Sequence, residues 1–270
     1  MTAATPSASP EPLDVSFRDV HLSLGGRRIF SGLSCGFPRS RISVVLGASG
    51  GGKSTLLRAM GGLVRPQRGT IEVVGQPVTD PRADLKAIRR RLGMMFQGGA
   101  LLDSMSVFEN LALPLREQGG LDRQEITNKV CRQLESVGLM DASTLLPGQL
   151  SGGMVKRAAL ARSMVADPEI LLCDEPFSGL DPISLRTVEH LLEEVNKESG
   201  VTMIITSHHI PSSLRMASHI VFLHDHRAVE GPPEALRRCP VPEIREFIAA
   251  EDPRSEEPAP GEPPASGAGA

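Results

Sequence analysis

The chain has 270 residues, 40% of them hydrophobic, which is ample for a core in one large domain or two ordinary ones. Its 29 Lys and Arg against 32 Asp and Glu give a formal net charge of -3, which removes the electrostatic case for a nucleic-acid partner. The longest apolar stretches, such as 42–46 and 170–173, fall far short of the roughly 20 residues of a membrane-spanning helix, so membrane association is expected only through partners.

In chain order, residues 1–12 are rich in Ala, Ser, Thr and Pro without a basic start and apolar core, so they read as a flexible N-terminus and no export signal. A cytoplasmic protein is expected. From Val15 to Leu24 polar and apolar residues broadly alternate, and Gly25-Gly26 then interrupts them as a hairpin turn does, which predicts an antiparallel edge. The β-branched run from Arg41 to Leu46 predicts a strand, followed by a glycine-rich turn and a helix over Lys53 to Met60. Between Gln97 and Asp167 strand signals vanish. Amphipathic segments around Val107–Leu115, Arg123–Val137 and Gly153–Val165 predict a helical subdomain, about 97–167, inserted in the core. Apolar runs at Glu169–Cys173, Val201–Thr206 and His219–Leu223 alternate with helix-length segments, the pattern of a largely parallel sheet covered by helices. The fold class is therefore α/β. The main domain is expected over 13–250, and 251–270, made of Pro, Glu, Gly, Ala and Ser, is expected to be a disordered tail.

Cys35, Cys131, Cys173 and Cys239 form no C-x-x-C pair, so they read as reduced thiols rather than a zinc or redox site. Every aromatic residue is a Phe, 3% of the chain, so the Tyr and Trp platforms of single-strand nucleic-acid binders are missing. The basic run Lys86 to Arg91 reads as a solvated helix face.

Three motifs carry chemistry. Gly47-Ala48-Ser49-Gly50-Gly51-Gly52-Lys53-Ser54 fits G-x-x-x-x-G-K-[ST] between a predicted strand and a predicted helix. Inward-turned backbone N–H groups and the helix N-terminus suit phosphates; Lys53 reaches the outer phosphates, Ser54 offers a hydroxyl to Mg2+, and Thr55 adds a phosphate contact. The apolar strand ending in Asp174 and Glu175 brings two carboxylates to the ligand edge of the sheet, Asp174 for Mg2+ and Glu175 as general base toward an attacking water. Leu150-Ser151-Gly152-Gly153-Met154 precedes a helix containing Lys156 to Arg162, and its N–H groups form a second anion site. Each motif occurs once, so a second copy must be another molecule.

This last motif resembles the L-S-G-G-Q signature of ABC ATPases. Gln97 resembles the family's Q-loop, Ser178-Gly-Leu-Asp181 its D-loop, and Ser207-His208 its switch histidine, and the resemblance runs from about Val15 to Ala249. It implies a P-loop NTPase core of ABC type with an antiparallel β edge and a helical insertion, binding ATP with Mg2+. It implies two chains closing head to tail, each laying Ser151, Gly152 and Gly153 on the ATP of the other. It further implies that His208 contacts the γ-phosphate and the water beside Glu175, that Gln97 senses metal and water, and that Asp181 orients contacts across the dimer. Met154 replaces the commonest Gln, His209 replaces Asp, and Leu24 stands where many family members stack an aromatic on adenine, so weak base selectivity is expected.

Phe96 to Asp103 and Val107 to Arg116 resemble the corresponding stretches of the ATPase in Mla/Mce-type lipid transporters. That resemblance implies phospholipid traffic between bacterial membranes from the cytoplasmic face of the inner membrane. Its partners would be a permease of the MlaE kind, a periplasmic lipid-binding protein of the MlaD kind and a STAS-fold regulator of the MlaB kind. An amino-acid or other small-solute transporter ATPase would show the same catalytic residues, and a soluble ABC ATPase acting on ribosomes or DNA ranks lower because paired halves and long insertions are missing.

Overall fold

The structure, a computed structural model, describes residues 11–249. The expected tail at 251–270 and all but the last two residues of the expected flexible start lie outside them.

The chain opens with β1 (Leu13–Leu24) and β2 (Arg27–Pro38), paired antiparallel so that Leu24 faces Arg27. Gly25 and Gly26 make the turn with φ of 55° and 79°, the doubly left-handed geometry a two-residue hairpin requires. On the other side β1 pairs antiparallel with β4 (Arg68–Val73), which in turn pairs with the short β5 (Gln76–Pro77). The result is an antiparallel sheet of order β2-β1-β4-β5.

A second sheet holds β3 (Ile42–Gly47), β6 (Leu92–Met95), β7 (Ile170–Asp174), β8 (Thr202–Thr206), β9 (His219–His224) and β10 (Arg227–Gly231), in the order β10-β9-β3-β8-β7-β6. All its neighbours are parallel except β9 with β10. Both faces are covered. Val44, Leu171, Met203 and Phe222 join one apolar cluster, while Val45, Leu172, Ile204 and Val221 join the other, together with Phe17, Phe30 and Phe37 of the antiparallel sheet. Two-sided burial explains why these strands read as continuous apolar runs rather than alternating ones.

Helix α1 (Lys53–Met60) follows β3 and packs beneath the antiparallel sheet, and α2 (Leu85–Arg90) precedes β6. Between β6 and β7 come α3 (Val107–Gln118), α4 (Arg123–Ser136) and α5 (Gly152–Met164). Reciprocal capping boxes, Ser106 with Glu109 and Asp122 with Glu125, fix where α3 and α4 begin. Leu111, Leu115, Val130 and Leu134 form a third apolar cluster there.

Helix α5 departs from the single apolar stripe expected of it. Ala158 and Ala161, with Val165 at the C-cap, serve the third cluster, whereas Ala159, Leu160 and Met164 serve the core behind the parallel sheet. Wedged between two cores, it buries residues all round its axis. The chain ends with α6 (Pro182–Ser199), α7 (Ile210–Met216), α8 (Pro233–Arg237) and α9 (Pro242–Ala249).

Candidate active site

The turn from β3 to α1 lies close against its surroundings, and two glycines show why. At Gly47, φ 140°, a Cβ would sit 2.6 Å from the Leu223 carbonyl oxygen; at Gly52, φ 100°, it would sit 2.9 Å from Ile29 Cγ2. Side chains there would push the loop away from the sheet. Lys53, 9% exposed, starts α1 and donates from Nζ to the Gly47 carbonyl at 2.8 Å and the Ala48 carbonyl at 3.3 Å. Its ammonium is thereby held inside the loop, at the mouth of the helix dipole.

At the end of β7, Asp174 is 7% exposed. Its Oδ1 accepts from Ser54 Oγ at 2.9 Å and from Thr206 Oγ1 at 2.7 Å. Hydroxyl and carboxylate oxygens are the donor set of a hard cation such as Mg2+, and Ser54 with Asp174 fit one. Among the described residues there is no group of three or more His, Cys, Asp or Glu side chains suited to a metal, so most of the shell of a cation here would come from oxygens outside the chain, of water or phosphate.

Glu175 follows immediately, with φ 50° in the left-handed region that few non-glycine residues occupy. Its N–H donates to the Thr206 carbonyl and to Thr206 Oγ1, both at 3.1 Å. Its Oε2 lies 2.7 Å from His208 Nδ1, the Glu175 side chain being 12% exposed and the His208 ring 65% exposed. A mostly buried carboxylate thus leans on an open imidazole, suited to orienting a water and receiving its proton.

Ser49, Gly50, Gly52, Lys53, Ser54, Thr55, Gln97, Glu175 and His208 share one cavity of about 500 Å³. Asp174 does not line it but bonds to Ser54, which does, and Gly47, Ala48 and Gly51 belong to the loop backbone. Ser151, Gly152, Gly153 and Asp181 do not line it. Ser151 caps α5, its Oγ accepting from Met154 N at 3.3 Å. Asp181 caps α6, accepting from Ile183 N and Ser184 N at 3.0 Å each, and hydrogen bonding from Ser184, side chain first, holds its carboxyl below the usual range. The two caps adjoin, since a Cβ on Gly153 would lie 2.7 Å from Ser184 Oγ.

Sequence reasoning missed the roles of Thr206, Arg27, Ile29 and Lys156. Thr206, fully buried, joins Asp174 to the Glu175 backbone; its signal was a hydroxyl closing an apolar strand just before Ser207-His208. Arg27 and Ile29 form the cavity wall on the side where Leu24 had drawn attention. Lys156 is buried on α5 and donates to the Gln97 and Glu175 carbonyls and to Ser178 Oγ, contacts that no sequence pattern announces. His209, where the resembled family commonly has Asp, caps α7, its Nδ1 lying 3.2 Å from Ser212 N and 2.6 Å from Ser212 Oγ.

The family model described as "ABC transporter" matches residues 30–178. The intermembrane phospholipid transport system ATP-binding protein MlaF of Escherichia coli K12 is 42% identical over 87% of this chain and 88% of its own length. A Mycobacterium tuberculosis relative named "Probable ribonucleotide transport ATP-binding protein mkl" is 39% identical over 90% of this chain and 69% of its own length. Among solved structures, the ATP-binding cassette MJ0796, a dimer in a post-hydrolysis state bound to ADP and Pi, superposes with a TM-score of 0.73 at 28% identity, covering 81% of this chain and 98% of that one.

Proposed function

Because the chain belongs to the ABC transporter family, whose model spans more than half of it, we propose that it powers phospholipid transport between bacterial membranes by hydrolysing ATP. The chain is an ATPase of that family. The observation that carries the cargo is its 42% identity, over nearly its whole length, to a protein named for phospholipid transport.

The chemistry follows from the cavity. ATP lies with its phosphates in the loop 47–54, where Lys53 exchanges the Gly47 and Ala48 carbonyls for phosphate oxygens. Ser54 and Asp174 would hold a Mg2+ brought with the nucleotide, which would neutralise phosphate charge. Glu175 takes the proton of the water that attacks the γ-phosphorus, the bond to the bridging oxygen breaks, and ADP leaves with its extra charge. His208 holds the Glu175 carboxylate in line at 2.7 Å and reaches the γ-phosphate from its exposed face, while Gln97 stands at the cavity edge as the sensor of water and metal. Arg27 and Ile29 stand in the wall, and the chain has no Tyr or Trp to stack on the base.

Ser151, Gly152 and Gly153 lie outside this cavity at the exposed start of α5, which supports their closing on the ATP of a second copy, with Asp181 beside them. The chain then works as a head-to-tail dimer. Phe96 and Leu102, 38% and 42% exposed near α3, support a permease of the MlaE kind seated there, with MlaD-like and MlaB-like proteins completing the assembly. No helix among the described residues is long and apolar enough to cross a membrane, so the chain sits peripherally at the inner membrane through these partners.

The test is affinity capture of the tagged chain from detergent-solubilised membranes, with partners and bound lipid identified by mass spectrometry. An MlaE-like permease carrying phospholipid supports the reading; a permease for ribonucleotides or another solute, without lipid, refutes the cargo.

A further inference from the structure

The one charged side chain buried within α5 is Lys156, 6% exposed. Its Nζ donates to three acceptors: the carbonyl of Gln97, the carbonyl of Glu175 at 3.2 Å and Ser178 Oγ at 3.2 Å. An ammonium has three donors, so all are used, and none goes to a carboxylate oxygen. Burial pushes the Lys156 pKa down, against the opposing pull of Glu175, Cys173 and Asp174. An apolar residue would fill this place without that desolvation cost, so the position calls for the bonds themselves.

The three acceptors lie on two segments, the loop after β6 and the turn after β7, each next to or part of the reacting machinery. Gln97 follows β6, Glu175 follows β7, and Ser178 begins the turn toward Asp181. The Glu175 carbonyl is also reached by Ser178 N at 3.3 Å and Ser178 Oγ at 3.0 Å, while its N–H is held by Thr206. A left-handed peptide at φ 50° persists only where its surroundings hold it. Lys156 and Thr206 grip it from opposite ends.

We propose that Lys156 is a positioning residue for hydrolysis: through the Gln97 and Glu175 carbonyls and the Ser178 hydroxyl it sets the aim of the Glu175 carboxylate. Because Lys156 rides on the helix that Ser151 caps, it also ties the anion site offered to the second copy to the hydrolytic carboxylate of its own chain. This rests on the reading of Glu175 as the base. Lys156 does not line the cavity that holds Lys53 and the loop, so its loss acts on turnover and leaves phosphate binding to them.

The experiment compares the parent chain with Lys156→Met, Lys156→Arg and Glu175→Gln, measuring kcat, KM and the affinity for a fluorescent ATP analogue. Thermal melting is recorded in parallel. A misaimed base costs on the order of 10²-fold in kcat. Lys156→Met is expected to lose that much while ATP affinity stays within about 2-fold. Lys156→Arg, which keeps charge and donors, is expected to recover most of the loss. Parent-like kcat in Lys156→Met overturns the proposal, as does an equal fall in affinity and kcat that Arg does not rescue, the mark of a merely structural lysine. If Glu175→Gln turns over normally, the reading of the base fails instead, and the two failures are told apart.

Discussion

Asn110→Ala is the sharpest perturbation of the segment that leads from Gln97 to α3. Asn110 is fully buried; its Oδ1 accepts from Leu102 N at 2.8 Å, and its Nδ2 donates to the carbonyls of Leu102, Met105 and Ser106 at 3.2, 3.1 and 3.0 Å. One acceptor and two N–H donors make about three hydrogen bonds, each worth about 1 kcal/mol net, so the substitution costs roughly 3 kcal/mol. In a domain of this size, 1 kcal/mol shifts Tm by about 2–4 °C, giving a fall of roughly 6–12 °C. Circular-dichroism melting measures it, and hydrogen exchange at 98–106 shows whether that loop loosens first. Asn110→Asp is expected to melt lower still, since a carboxylate would face three carbonyl oxygens. A fall below about 2 °C, or an Asp variant as stable as the parent, would refute the view that this side chain pins the loop.

Lys53→Ala removes a charge-assisted contact worth about 1.5–3 kcal/mol, so ATP affinity should fall roughly 10- to 100-fold in equilibrium titration, and unchanged affinity contradicts the phosphate-loop reading. Burial pushes the Cys173 thiol up to about 12 and raises Cys35 well above its usual range, Cys239 is buried, and Cys131 is only partly covered. Titration of the native chain with a thiol reagent at mildly alkaline pH should therefore label Cys131 first, because a thiol with a raised pKa offers less thiolate below that pKa. Fast labelling of Cys173 would show that the end of β7 opens readily.

Much of this fold is legible in the sequence, for physical reasons. Strands β3, β7, β8 and β9 are buried on both faces and so read as short apolar runs, and Gly25-Gly26 announces its hairpin because only glycine enters two left-handed positions freely. The loop 47–54 is legible because phosphate binding fixes residue types at fixed offsets in one stretch of chain. Helix α5 misleads a search for a single apolar face because it packs against two cores at once. Thr206 and Lys156 are silent for another reason: each acts through contacts with residues 19 to 59 positions away, such as Lys156 with Glu175 and Gln97, or Thr206 with Asp174. Arg27 enters the cavity wall because of the β1–β2 register, which a one-residue slip would undo.

The most direct test of the account is single-turnover ATP hydrolysis by Glu175→Gln, run beside light scattering with and without ATP. Loss of the general base should slow hydrolysis by about 10²- to 10⁴-fold while ATP still binds and holds two chains together as a stable dimer. Hydrolysis at the parent rate would contradict the assignment of Glu175, and slow hydrolysis without an ATP-held dimer would contradict the closure of Ser151 to Gly153 on the nucleotide of a second copy.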